Sequence, residues 1–140
     1  MTQEDKELLF KDLCARLPYH LRVKVWLKNG TTEEDALDLE HNYGDALRGA
    51  FYYNEIVKIK PYLYPISSIT KEQLFEVQEI LGKNEIEIKE GFLSIIDSDR
   101  NTISYLEILV ILEWFNKNHF DYRGLIEKEL AIDATGLNIY

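Results

Sequence analysis

Cysteine is almost missing from this chain. Cys14 is the single one, so no disulfide can close within it, and a reducing, cytoplasmic setting is the expectation. There is no apolar run of 18 residues, so no transmembrane helix is expected. The start, MTQEDKELLFKDL, lacks the basic-then-apolar order of a signal peptide. A glycine-rich phosphate loop, a nucleophile elbow and an HExxH pair are absent, as are internal repeats, low-complexity tracts and a convincing linker. Positive charge is also scarce: 16 Lys and Arg stand against 25 Asp and Glu, a net charge of −9. Residues 1–70 carry 11 acids and 9 bases, and residues 71–140 carry 14 and 7. That balance argues against phosphate-backbone binding, which needs a basic surface. It suits solubility, or a surface that imitates nucleic acid toward a basic partner.

What is present is the material of one domain, residues 1–140, with 46% hydrophobic residues and nine Tyr, six Phe and two Trp. Residues 3–16 carry Leu9, Leu13 and Leu17 at helical spacing, flanked by Phe10 and Cys14, with Thr2 as N-cap and Pro18 as stop. Cys14 is expected in the core on that basis. LRVKVWL, residues 21–27, alternates like a half-buried strand, and Asn29-Gly30 signals a turn. ALDLEH is the candidate returning strand, while YGDALRGAFYY has no clean period. EIVKIKPYLYP alternates again; Pro61 and Pro65 suit an edge strand or an extended connector. Residues 67–82 predict a helix with a Thr70–Gln73 capping box and Gly82 beyond its end. Residues 86–96 predict one or two strands, with Gly91 as a candidate bulge.

DSDRNTISYLEIL, from Asp97, resembles a calcium loop, since Asp97, Asp99 and Asn101 fill ligand positions one, three and five. The register then fails: Thr102 stands where the bend needs glycine, and Glu107 falls one place short of the bidentate position. A polar turn followed by a Ser104–Glu107 capping box needs no ion, and no metal site is assigned. YLEILVILEWFNKNH, residues 105–119, is apolar nearly all round, which predicts a central core helix, or one covered by a second copy.

His119, Asp121, Tyr122 and Arg123 then crowd into five positions. One reading is a polar site, with Arg123 anchoring an anion and His119 carrying a proton. The other is structural: Asp121 caps a short helix and Arg123 pairs with a carboxylate. A lone His makes a poor metal centre, and no cofactor is expected.

Three phrases, KELLFKDLCARLPYHLRVKV, VKIKPYLYPISSIT and NKNHFDYRGLIEKELA, resemble a family of small uncharacterised proteins of gut Bacteroidales and their phages or mobile elements. The resemblance covers both ends and the middle of the chain in the same order. The chain departs from it at His20 and Glu129, where the family has Gly, at Tyr64, where it has Arg, and at Ile66 and Ile69, where it has Met. The resemblance implies an accessory protein of a bacterium or phage and transfers no activity.

The expectation is therefore a single α+β domain. A small, mainly antiparallel sheet from residues 19–60, with 86–96 as its candidate extension, packs on helices near 3–16, 71–81 and 105–118. The expected function is non-catalytic: an interaction module with a protein partner, or a homo-oligomer, and no direct contact with nucleic acid or membrane. Tyr52, Tyr53, Tyr62, Tyr64, Tyr122 and Arg123 are the candidate contact groups, with His119 and Asp121 beside them. The alternatives are an acidic decoy, and a small enzyme or ligand binder using His119 to Arg123.

Overall fold

The computed structural model describes residues 1–37, 56–82, 86–89, 94–97 and 104–140, with only the backbone of 86–89 and 94–97. Gly91, Asp99, Asn101 and all of YGDALRGAFYY, with Tyr52 and Tyr53, fall outside the described residues. The chain forms an α+β fold.

Helix α1 spans Gln3–Arg16 and opens on a reciprocal cap: Thr2 Oγ1 accepts from the Asp5 N–H and Asp5 Oδ2 accepts from the Thr2 N–H. Pro18 cannot extend it, and a 3-10 turn, Leu17–Tyr19, leads into β1, Leu21–Leu27. Gly30, at φ 85°, turns the chain toward β2, Thr32–Leu37. The returning strand is thus the acidic TEEDAL, which starts before ALDLEH. Leu37 lies opposite Leu21 in that register, so the apolar end of β2, and not its acidic start, fixes the pairing.

Strand β3, Ile56–Pro65, is interior, contrary to the edge position its prolines suggest. Pro61 stands at the last rung of the β1–β3 ladder, opposite Val23, where a missing N–H costs least. Beyond it two short parallel strands take over: β7, Ile132–Asp133, pairs with Tyr62 and Leu63, and β6, Phe120–Asp121, pairs with Tyr64 and Pro65. Tyr64 N–H donates to His119 C=O, and Leu63 C=O accepts from Ala134 N–H. Groups of adjacent residues point to opposite edges of a strand, so β3 is flanked on both sides there. The order is β2-β1-β3-β6, mostly antiparallel. The register also slips between Trp26 and Leu27: Lys58 pairs with Trp26, but Ile56 with Leu27. Val57 is the extra residue of a bulge and is exposed, which lets Ile56 and Ile59 both pack on the core despite their odd spacing.

Helix α2, Lys71–Leu81, has the expected Thr70–Gln73 capping box and ends on Gly82 at φ 63°. Strands β4, Ile86–Lys89, and β5, Ser94–Asp97, pair with each other and not with the larger sheet. Helix α3, Tyr105–Lys117, follows; the Ser104 hydroxyl accepts from Glu107 N–H and donates to its carboxylate.

Two apolar clusters result. Leu9 and Leu13 of α1 and Leu17 of the turn after it cover Leu21, Val23, Val25, Ile59 and Leu63 on the inner face of the sheet. Val77 of α2, Ile111, Trp114 and Phe115 of α3, and Phe120 make the second. Phe10 and Cys14 are exposed, contrary to expectation, because α1 turns its other flank, Asp12 and Arg16, inward.

Glu129 holds φ 57° and His20 φ 51°, left-handed conformations that disfavour a side chain. Glu129→Gly is expected to stabilise the fold by about 1 kcal/mol in urea denaturation, because relief of the strain exceeds the entropy glycine adds to the unfolded chain.

Candidate functional site

The segment that follows α3 carries the densest chemistry. Asn118 closes the helix with its Nδ2 donating to Trp114 C=O, and His119 reverses the chain at φ 60°. The imidazole stacks on Tyr140 at 3.8 Å and 11°. The Tyr140 hydroxyl donates to Tyr62 C=O at 2.7 Å and accepts from Arg22 N–H at 3.1 Å. Burial, and then the Arg16 charge, pushes the His119 pKa down to about 4, so the ring is neutral at pH 7. Burial raises the pKa of the Tyr140 phenol, and burial followed by the Glu34 carboxylate pushes Tyr62 up to about 12. The Tyr62 hydroxyl donates to Glu34 at 2.8 Å.

Asp121 is spent on the backbone. Its two oxygens accept from Leu125 N–H at 2.9 Å and Ile126 N–H at 2.8 Å, capping a run of turns where a short helix was expected. Arg123 donates to the Tyr122 hydroxyl at 2.8 Å and sits 5.0 Å from that ring's centre. Its Nε lies 3.4 Å from Asp12, a carboxylate far away in sequence.

Asp12 and Arg16 themselves are the residues that sequence reasoning missed. Both are fully buried. Arg16 grips Asp12 through Nε at 2.8 Å and Nη2 at 3.1 Å. It also donates to Phe115 C=O at 3.3 Å and to Phe120 C=O at 2.7 Å. Four of its five N–H groups are so used, and the guanidinium lies 5.5 Å from the centre of the Tyr122 ring. The signal was there: an acid and a base at i, i+4 border the arc marked by Leu9, Leu13 and Leu17, on the side away from Phe10 and Cys14.

His119 and Tyr64 line a cleft of about 480 Å³ together with Gln73, Lys117, Phe120 and Tyr140. Asp121, Tyr122, Arg123 and Tyr62 do not line it. The constellation crowded in sequence is therefore dispersed in space. Ser68, Thr70 and Gln73 of the cleft already bond to backbone. Among the described residues no three His, Cys, Asp or Glu side chains are placed to hold a metal.

The other unusual surface is on α3. Ile111, Trp114 and Phe115 enter the core, as expected of a central helix. The first two turns do not follow. Tyr105 and Leu106 are 75% and 73% exposed, and Leu109 and Val110 are also exposed. At 100° per residue these four form an arc centred opposite that of Ile111, Trp114 and Phe115, with Val110 at its edge, about 40° from Trp114. Among the described residues no helix is long and apolar enough to cross a membrane. No family model matches the chain, and no curated protein or solved structure is similar to it.

Two measurements check this geometry. Asp12→Ala strands the Arg16 charge and is expected to cost ~3–5 kcal/mol in chemical denaturation, whereas Asp12→Leu with Arg16→Met is expected to recover much of that loss. His119 is the second case. Its folded pKa lies below the unfolded value, so the unfolded chain takes up the proton first as pH falls. Stability is whole above about pH 6.5 and is lost toward pH 4, by roughly 3 kcal/mol for this residue. His119→Phe, which keeps the stack on Tyr140, is expected to flatten that part of the stability–pH curve.

Proposed function

We propose that this chain is a non-catalytic protein-interaction module that docks a partner on the outer face of α3. The observation that carries the reading is the exposed apolar stripe Tyr105, Leu106, Leu109 and Val110. A soluble surface scatters such residues, and a continuous strip of them marks a contact. Covering each side chain contributes roughly 1.5–3 kcal/mol, less the cost of association. The partner that fits has an apolar strip edged by basic groups. Helices α2 and α3 carry five carboxylates, Glu72, Glu76, Glu79, Glu107 and Glu113, against Lys71 and Lys117, and charge of that sign steers a basic partner. The resemblance in sequence supplies the setting, an accessory protein of a bacterium or its phage. The decoy reading asks for one acidic surface and draws less support, since the described carboxylates are spread over α1, β2, α2, α3 and the C-terminal turns. The enzyme reading asks for His119, Asp121 and Arg123 in one cleft, and those side chains are apart.

Leu106→Asp with Val110→Asp changes exposed positions and is expected to leave the melting temperature within a few degrees of the parent. Affinity capture from host lysate, run on parent and variant side by side, is expected to show proteins held by the first and lost by the second. Identical capture by both would remove α3 as the contact. A dimer seen by light scattering that the variant dissolves would make the occupant a second copy of the chain.

A further inference from the structure

The outer face of the sheet carries a different chemistry from the rest of the molecule. Leu21, Val23 and Val25 of β1 point to the core, so Arg22, Lys24 and Trp26 point away from it. Across the ladder Lys24 faces Lys60 and Trp26 faces Lys58. The Lys24 and Lys58 ammonium groups lie 5.7 and 5.1 Å from the centre of the Trp26 ring. Two lysines thus flank one partly exposed indole, with Lys60 and Arg22 further along the same face, in a chain whose net charge is −9. On the neighbouring strand the acid of this face is Glu34, which accepts from Tyr62. Among the described residues none of the four cations is in an ion pair. Tyr140 lies against Tyr64 at the other end of the same face.

Two lysines directly opposite on a ladder repel and cost stability. Burial first, and then the Lys58 charge, lowers the Lys60 pKa, while the Glu129 carboxylate acts the other way. An anion laid across the face would relieve that repulsion. We propose that the Trp26 face of the sheet binds single-stranded nucleic acid, the lysines and Arg22 meeting phosphates and the indole stacking a base. Cations that follow a backbone, with an aromatic ring among them, are how sheets hold single strands. An acidic protein would satisfy the cations and leave the indole without a task. The charge total of the chain argues against phosphate binding; the local placement of these four groups does not follow the total. This inference is independent of the α3 contact.

The test is fluorescence anisotropy of labelled oligo-dT and oligo-U of about 16 nucleotides with the full chain. Binding with Kd on the order of 10⁻⁴–10⁻⁶ M is expected, weakening about 20- to 50-fold between about 50 and 200 mM salt for three or four phosphate contacts. Comparing the two oligomers says whether DNA or RNA is preferred. Trp26→Leu is expected to weaken binding about tenfold with the same salt slope. Lys24→Gln with Lys60→Gln is expected to reduce the slope while raising the melting temperature, so lost binding would not reflect lost folding. The proposal is overturned by unchanged anisotropy at low salt, by equal competition from polyglutamate, by equal affinity for duplex DNA, or by a Trp26→Leu variant that binds like the parent.

Discussion

One buried guanidinium holds the two halves of this molecule in register. Arg16 leaves α1 at its last turn and reaches carbonyls at the end of α3 and in β6, so the sheet cluster and the helical cluster share a hydrogen-bonded joint. Removing such a charge from water is costly, and only near-complete bonding offsets it. Asp12 supplies the countercharge, Tyr122 a polarisable lid, and Arg123 a second cation against the same ring. The turn at His119 belongs to this joint as well. Its left-handed backbone sends Phe120 back toward Arg16 while its carbonyl receives Tyr64. Chemistry that looks like a reaction centre in sequence is the fastening of the fold.

That fastening explains how much the sequence disclosed. Elements with local signals were legible: the Thr70–Gln73 cap and Gly82 bound α2, and the alternation of LRVKVWL gave β1 with the correct inward face. Where a non-local contact decided, local patterns misled. The apolar arc of α1 was located by its leucines, but its flank was assigned to Phe10 and Cys14 because a buried ion pair needs partners from α3 that no period reveals. The prolines of β3 suggested an edge, yet β6 and β7 are two residues each, too short to show a strand period. Of the candidate site residues, His119 and Tyr64, which nothing in the sequence pairs, line one cleft. Asp121 and Arg123, two positions apart in sequence, turn elsewhere, one to backbone amides and one to Asp12.

The surface divides in a way the charge total conceals. Apolar side chains concentrate on the outside of α3, cations gather round Trp26, and acids occupy β2, α2 and the turns near the C-terminus. Each region is built on a different element, so each can change without disturbing the Arg16 joint.

The central strand, β3, acquires its last neighbours from residues that follow it much later in the chain, and Arg16 closes on Phe120 across 104 positions. A ribosome would release β3 well before β6 and β7 exist, leaving one end of that strand open during synthesis. Contacts of such long range slow the search for the native topology, and an unpaired strand end invites pairing with another chain meanwhile. Assembly of this domain is thereby governed by the arrival of its final segment, and a nascent chain stalled before residue 120 would be an aggregation hazard, not a folded intermediate.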